Sequence, residues 1–423
     1  MDEFAFDLLR SGILAVKEGN NRMARHQLER AIDLTEDHTL LAEAWFWMSE
    51  SSLDPTEKRT MLESALAYDL HHAQARRSLA ILDGKLTPNE IIDPENLSQA
   101  QPKSPQDSTA ERFICPKCGG KMTYAPDGTN LVCEYCDRHQ SIKAGVLLEE
   151  QDFIIAMATA RGHRQPTLMT TLKCQGCGAD FLLAPGVISS DCSFCGSAHV
   201  VALESLHELV EPDCIIPMVL QQNQANDQLK KWFRDNHIQP DDAPQPARGL
   251  YLPLWSFDIG GHIAWSGERI QNKKVIHING EDIVSFNDLA IPASQPLSTL
   301  LDGMLGSYDL INAPVYDTRY LAGWPAKVYE IPMAEASLDA RQKASRLIER
   351  RIVSKDGVLD NLKYSTAELF VETFKLSLVP VWVSSYHLQT KKHAVLINGS
   401  SGEVQTDMPR RGLSGWLKDK LTF

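Results

Sequence analysis

Cysteine is where this chain carries most of its chemistry, and eight of its nine cysteines fall into two copies of one pattern. Cys115 and Cys118 are followed, after fourteen intervening residues, by Cys133 and Cys136. Cys174 and Cys177 are followed, again after fourteen, by Cys192 and Cys195. Paired Cys-x-x-Cys knuckles at this separation can close four thiolates around one zinc ion, as in a zinc ribbon. The second set lies 59 residues after the first, and Gly119 and Ala125-Pro126 return as Gly178 and Ala184-Pro185. The spacing predicts two zinc ions per chain, both structural. A catalytic zinc keeps one position open, and no His-Glu-x-x-His accompanies these cysteines. A thioredoxin-like pair needs a single Cys-x-x-Cys at a strand-to-helix junction. The ninth cysteine, Cys214 in PDCIIP, has apolar neighbours and reads as a buried thiol.

Other chemistry is thinly represented. Nucleotide hydrolysis of the helicase kind needs Gly-x-x-x-x-Gly-Lys-[Ser/Thr], whereas Gly84-Lys85 runs into Leu86 without the upstream glycine. Gly399-Ser-Ser-Gly402 falls one residue short of a nucleophile elbow and reads as a hairpin turn. His71-His72 reads as a helix end, where a cation suits the dipole. Asp258 and His262 bracket Gly260-Gly261 and read as a satisfied turn. Nucleic-acid affinity rests on Lys and Arg against phosphate. Between residues 111 and 200 eight basic groups, among them Lys117, Lys121, Arg138 and Lys143, face nine acids. Two four-thiolate zinc sites would add further negative charge. A nucleic-acid-binding zinc ribbon is therefore the alternative reading, and it requires those four cations to share a face.

The elements that must hold these cysteines divide the chain into segments. Residues 1–92 read as helices at a repeat period: Leu28-Glu29 with Ala31 recurs as Leu62-Glu63 with Ala65, a shift of 34 that matches the tetratricopeptide (TPR) repeat. Gly12 and Ala24 sit where close helix packing wants small residues, Asp54-Pro55 marks a turn, and AQARRSLAILDG reads as a terminal capping helix. Residues 93–111, rich in Pro, Ser, Gln and Asp, read as a flexible linker. Zinc ribbons follow at 112–148 and 171–204, joined by a bridging helix within 149–170. Residues 205–408 read as a mixed α+β domain with an antiparallel sheet. Helices are expected near 224–233 and 334–352, and hairpin turns at Asn279-Gly280 and Asn398-Gly399. Pro253-Leu-Trp255 with Lys273-Lys274 and Asn279-Gly280 resembles Pro380-Val-Trp382 with Lys391-Lys392 and Asn398-Gly399, the mark of a worn duplication. Trp255 and Trp382 read as core anchors. Residues 409–423 read as an amphipathic tail able to dock on the protein or touch an anionic membrane surface.

The formal net charge is −13. The opening MDEFAFDLLR has no apolar run behind a basic start, and the apolar stretch around 366–388 is broken by Glu368, Glu372 and Lys375. These features exclude a transmembrane segment and point to a cytoplasmic, thiol-preserving compartment.

The helical start, the paired cysteine knuckles, IIPMVL, GLYLPLWSFD, YLAGWPAKVYE and the late PVWVSSY with INGSSGEV together resemble the bacterial "TFIIB-type zinc ribbon-containing" proteins, over roughly residues 112–408. Some members carry a primosomal-helicase label, which the missing phosphate loop contradicts here. The resemblance implies no catalytic activity. It implies a link to membrane-stress systems, in which relatives often end in transmembrane helices that this sequence lacks. The sequence thus predicts a non-enzymatic, zinc-binding scaffold that meets protein partners through its TPR-like repeats, with an unrecognised enzyme in the C-terminal domain as a further alternative.

Overall fold

The computed structural model describes residues 2–91, 106–108, 110–113, 115–125, 130–142, 150–159, 162–163, 170–173, 180–183, 187–191, 198–201, 210–271, 274–294, 297–327, 329–357 and 359–407. Most of the stretch read as a linker and all of the 409–423 tail lie outside these residues. The chain forms a multidomain α+β protein that divides into two compact units. One holds the N-terminal helices with residues 152–163 and 367–372; the other holds the remainder.

The first unit is built from helix pairs: α1 (Asp2–Lys17) with α2 (Asn21–Leu34), and α3 (His38–Glu50) with α4 (Pro55–Tyr68), followed by α5 (Ala73–Leu82). The 34-residue shift carries both ends of α2 onto those of α4. Each helix after the first starts at a side-chain cap that takes up an otherwise orphaned amide. Asn20 accepts from Met23 N (3.2 Å), Asp37 from Thr39 N (2.8 Å), and Asp54, followed by Pro55, from Thr56 N (3.1 Å). The repeated Leu28, Ala31, Leu62 and Ala65 are all buried. Gly12 is needed for the α1–α2 approach, because a Cβ there would lie 2.6 Å from Leu28 Cδ2.

Two expectations change here. His72 does not end a helix; it begins α5, its Nδ1 accepting from Ala75 N at 3.2 Å. That bond requires an unprotonated Nδ1, and a helix start disfavours a cation, so the dipole argument is reversed. The bridging helix is shorter than expected, α6 (Phe153–Met157), capped by Asp152. It groups with the N-terminal helices rather than with the cysteine modules.

The second unit is organised by a large, mostly antiparallel sheet. Its path runs through strands Val404–Thr406, Lys391–Asn398, Leu369–Leu388, Arg248–Gln271, Ala326–Lys327, Val187–Asp191, Ala198–Val201 and Ala110–Arg112. Gln106–Ser108 lies inside the stretch read as linker and Ala110–Arg112 spans its end, so the C-terminal part of that stretch is paired strand. Helices α7 (Gln222–Asp235), α8 (Ser298–Asp302) and α9 (Met333–Asp356) complete the unit.

Two long hairpins neighbour each other in this sheet: Arg248–Gln271 with Lys274–Pro292, and Leu369–Leu388 with Lys391–Asn398. In each, the first strand carries Pro-x-Trp and the return strand starts within the Lys-Lys pair, at Lys274 in one and at Lys391 in the other. Trp255 and Trp382 are both buried, and Trp255 Nε1 donates to Ile331 O at 2.8 Å. The Asn-Gly pairs, however, diverge. Asn398-Gly399 does open a turn, with Asn398 Oδ1 accepting from Ser400 N (2.8 Å) and Ser401 N (3.0 Å). Asn279-Gly280 lies mid-strand opposite Ser266 and Trp265. Its glycine is there for space: a Cβ on Gly280 would lie 2.5 Å from Trp265 Cζ2.

Candidate metal centre

The first cysteine set sits on a three-stranded sheet, Met122–Tyr124, Asn130–Cys133 and His139–Ser141. Its two knuckles share one backbone plan. Gly119 N donates to Cys115 O (2.8 Å) and Cys115 N to Gly120 O (2.8 Å); Asp137 N donates to Cys133 O (3.1 Å) and Cys133 N to Arg138 O (3.0 Å). Each knuckle turns on a left-handed residue just after its second cysteine, Gly119 at φ 73° and Asp137 at φ 53°. Gly120 is fixed by crowding, since a Cβ would come within 2.4 Å of the Tyr135 ring.

These turns aim the four sulfurs at one point. Cys115 Sγ is 3.6 Å from Cys136 Sγ, Cys118 Sγ is 3.5 Å from Cys133 Sγ, and all four lie within 4.8 Å of one another. Burial pushes the Cys115 thiol up, but the Lys117 and Cys118 amides donate to it and outweigh burial, bringing it down to about 6. The Cys136 and Tyr135 amides likewise lower Cys133. Cys118 accepts from the Gly120 amide, yet its neighbours Cys133 and Cys136 and its own burial push it up to about 12. The knuckles thus favour thiolate at some positions, and the crowding resists four thiolates without a cation. The four-cysteine cluster can hold a metal ion.

This small sheet shares a core with the rest of its unit. Cys115, Met122, Tyr124, Leu131 and Cys133 cluster with Tyr251, Tyr320, Leu321 and Trp382. Tyr124 N donates to Ala322 O (2.9 Å), and Trp324 Nε1 donates back to Tyr124 O (3.2 Å). Gly323, at φ +80°, has Thr123 where a Cβ would stand, at 2.8 Å. Lys117 and Arg138 are exposed, whereas Lys143 lies outside the described residues.

Cys174, Cys177, Cys192 and Cys195 also lie outside the described residues; two backbone pairings near them repeat those of the first module, although Asp180–Leu183 and Val187–Asp191 lie in different sheets where Met122–Tyr124 and Asn130–Cys133 pair. Val132↔His139 and Leu131↔Gln140 return, 59 positions on, as Asp191↔Ala198 and Ser190↔His199. The Met122 N to Phe113 O bond (3.1 Å) has its counterpart in the Leu172↔Phe181 pairing.

A second polar cluster escaped the reading of the sequence. Lys375, 4% exposed in the Leu369–Leu388 strand, places Nζ 2.5 Å from Asp288 Oδ1 and 3.2 Å from Glu150 Oε1. Thr373 Oγ1 donates to Glu150 Oε2 at 2.6 Å. A register shift between Phe257 and Ile259 brings in Asp258, which accepts from Asp288 N at 2.8 Å, with Asp288 at φ 53°. Asp258 is therefore part of a bulge, not a turn, and His262 instead faces Glu281 at 3.6 Å. The three carboxylates offer oxygens within 4.8 Å of one another, and the Lys375 ammonium pairs directly with two of them, Glu150 and Asp288. Burial works against that ammonium, and Asp288 and Glu150 more than offset it, so Lys375 stays charged. Burial and Glu150 push Asp258 up to about 6 against the Asp288 amide. Beside it, Asp213 accepts from Gln151 Nε2 (2.6 Å) and Leu376 N (2.6 Å), and burial still lifts it to about 6. Cys214 is fully buried 3.0 Å from Ser377 Oγ, its thiol raised by burial to about 11. The only cue in the sequence was Lys375 itself, flanked at strand spacing by Thr373 and Ser377 in an apolar run.

Fold and site define a multidomain α+β protein with a four-thiol cluster able to hold a metal ion. The chain is 24% identical over 327 residues to the "Uncharacterized protein YdjG" of Bacillus subtilis (strain 168), an alignment spanning 72% of this chain and 92% of that protein. No known family model matches it, and no solved structure matches it. Among the described residues no helix is long and apolar enough to cross a membrane.

Proposed function

We propose that this protein is a zinc-stabilised scaffold of the bacterial cytoplasm, with TPR-like repeats that receive a protein partner and two zinc ribbons that brace the α+β domain. The observation that carries the metal part is the convergence of four thiols on one point within a core continuous with the domain. Zinc–sulfur bonds of ~2.3 Å imply sulfur–sulfur edges of ~3.8 Å in a tetrahedron, close to the 3.5 and 3.6 Å separations of the two near pairs. With four protein ligands no position is left for substrate, so the metal's role is to hold structure. The strand register repeated 59 residues on supports a second ribbon at Cys174, Cys177, Cys192 and Cys195. The reading rests on the same paired cysteine knuckles that carry the resemblance to TFIIB-type zinc ribbon proteins.

For the repeats, Phe6, Arg10, Ile13 and Lys17 fall on one stripe of α1 at helical spacing. Phe6 is 53% exposed, and Lys17 reaches over the Trp47 ring of α3 at 5.5 Å. Such a mixed aromatic and cationic stripe suits an amphipathic peptide segment. The test is capture of a partner by the full-length chain, compared with a Phe6→Asp, Lys17→Glu double variant of unchanged helicity. Loss of capture in the variant is expected; a partner equally retained after deletion of residues 1–92 would overturn the assignment.

A further inference from the structure

A cleft of about 480 Å³ opens between α9, the end of the Lys274–Pro292 strand and α8, away from both polar clusters described above. Its volume is in the range of small-molecule sites. Ile291, Ile331 and Leu347 give it an apolar floor. Its rim is uneven in charge. Lys343 is already committed, donating to Ala290 O (3.0 Å) and to Asp302 Oδ1 (2.9 Å), which ties α8 and the strand to α9. Arg346 and Arg350, one and two turns further along α9, line the same cleft and are exposed, and neither joins an ion pair among the described residues. Asp339 lines the opposite end of the helical stripe.

Two arginines at i and i+4 repel each other by a few tenths of a kcal/mol on a helix surface. In a chain of net charge −13 acids are plentiful, yet of the two that line the cleft Asp302 is held by Lys343 and Asp339 stands two turns away from Arg346 along α9. A pair of planar guanidinium forks side by side presents more donors than a carboxylate can accept, and suits the three oxygens of a phosphate monoester. The floor beneath them favours an apolar body on that phosphate. Asp339, about 10 Å from Arg346 along the axis at 1.5 Å per residue, repels the phosphate and so directs it to the arginine end.

We propose that this cleft binds a small phosphate monoester with an apolar body, its phosphate on Arg346 and Arg350. The same chemistry could be carried by a soluble metabolite or by the headgroup of phosphatidic acid. Calorimetry on the full chain should show saturable binding of phenyl phosphate, with benzoate weaker by about tenfold or more, as expected if both guanidinium forks engage the dianion. The Arg346→Gln, Arg350→Gln double variant should lose about tenfold or more in the same assay, with an unchanged melting temperature because both side chains are exposed. Flotation with phosphatidic acid vesicles separates the sources: capture by vesicles that the double variant loses, without binding of phenyl phosphate, assigns a lipid-borne phosphate, and the converse a soluble one. Equal binding by wild type and variant, equal affinity for benzoate and phenyl phosphate, or no binding of either phenyl phosphate or vesicles would each overturn the proposal.

Discussion

The four thiols of the Cys115–Cys136 module and the three carboxylates around Lys375 face the same electrostatic difficulty. Each gathers groups that become negative into a space too small to hold them unpaired. The carboxylates find their cation within the fold, because Lys375 is carried to them by the alternation of one strand. Among the described residues the thiols have no such cation as a partner; what surrounds them is backbone amides that favour thiolate and neighbouring sulfurs that oppose it. One cluster is complete as folded polypeptide. The other can be completed by an ion from outside, and on the proposed reading this ties its part of the core to metal supply. Breaking each in turn should expose that difference.

The largest effect should come from Cys133→Ser. Structural zinc is worth roughly 10–16 kcal/mol in isolated finger peptides, far more than the other contacts of so small a sheet. Two zinc ions per chain are expected in protein purified without chelator, and the variant should retain one. Because Met122, Tyr124 and Leu131 pack with Tyr251, Tyr320 and Trp382, tryptophan fluorescence of the α+β domain should change with metal loss, while α1–α5 stay helical by circular dichroism. A variant that keeps both ions would remove Cys133 from the ligand set.

Next in size is Lys375→Met. Removing one partner from a buried ion pair leaves the other uncompensated, at a cost of about 3–5 kcal/mol. The unfolding midpoint of the α+β unit should fall accordingly, and adding Asp288→Asn to the same chain should restore part of it. Chelator should leave this cluster's contribution untouched. If Lys375→Met were neutral, the cluster would be solvated rather than self-neutralised.

How much of this was legible in the sequence follows from the range over which each signal acts. Cysteine spacing, the 34-residue helical repeat and the Asp54-Pro55 boundary are local patterns, and the described structure has the thiols converged, both ends of α2 repeated in α4, and α4 starting at Pro55. The hairpins were half legible. Asn398-Gly399 turns as its residues suggest, but Gly280 was selected by the Trp265 ring across the strand, which no local rule contains. The Lys375 cluster was invisible because its members, Glu150, Asp258, Asp288 and Lys375, are scattered over more than 220 positions and meet only through sheet pairing and a bulge. His72 was misplaced for a smaller reason: α4 already ends at Tyr68, four residues before it, and α5 starts at Ala73, so an end became a beginning.

The smallest predicted effect is one of pH, and it separates the two clusters again. Asp258 and Asp213 have folded values pushed up to about 6 from an ordinary 3.8. Between those values the folded state holds protons that the unfolded chain has released, so stability falls as pH rises through the window. The groups facing Asp258 are Glu150 and Asp288; Asp213 feels Lys375 and Glu211. Lys375 stays charged throughout, and Glu150, held below its ordinary value by Thr373, Asp258 and Lys375 despite its burial, loses its contribution only as pH falls below about 4.5. The α+β unit should therefore melt a few degrees higher at pH 5.5 than at pH 7.5, as expected for about 1 kcal/mol in a domain of this size. Thiolate ligation runs the other way, since protons compete with the metal. The comparison is cleanest in the Cys133→Ser chain, where the first module no longer contributes a metal-linked term. Asp258→Asn should remove about half of this difference and leave the part due to Asp213, because the amide keeps an acceptor for Asp288 N but has no proton to release. A rise of the same size in Asp258→Asn would move its origin to Asp213 alone.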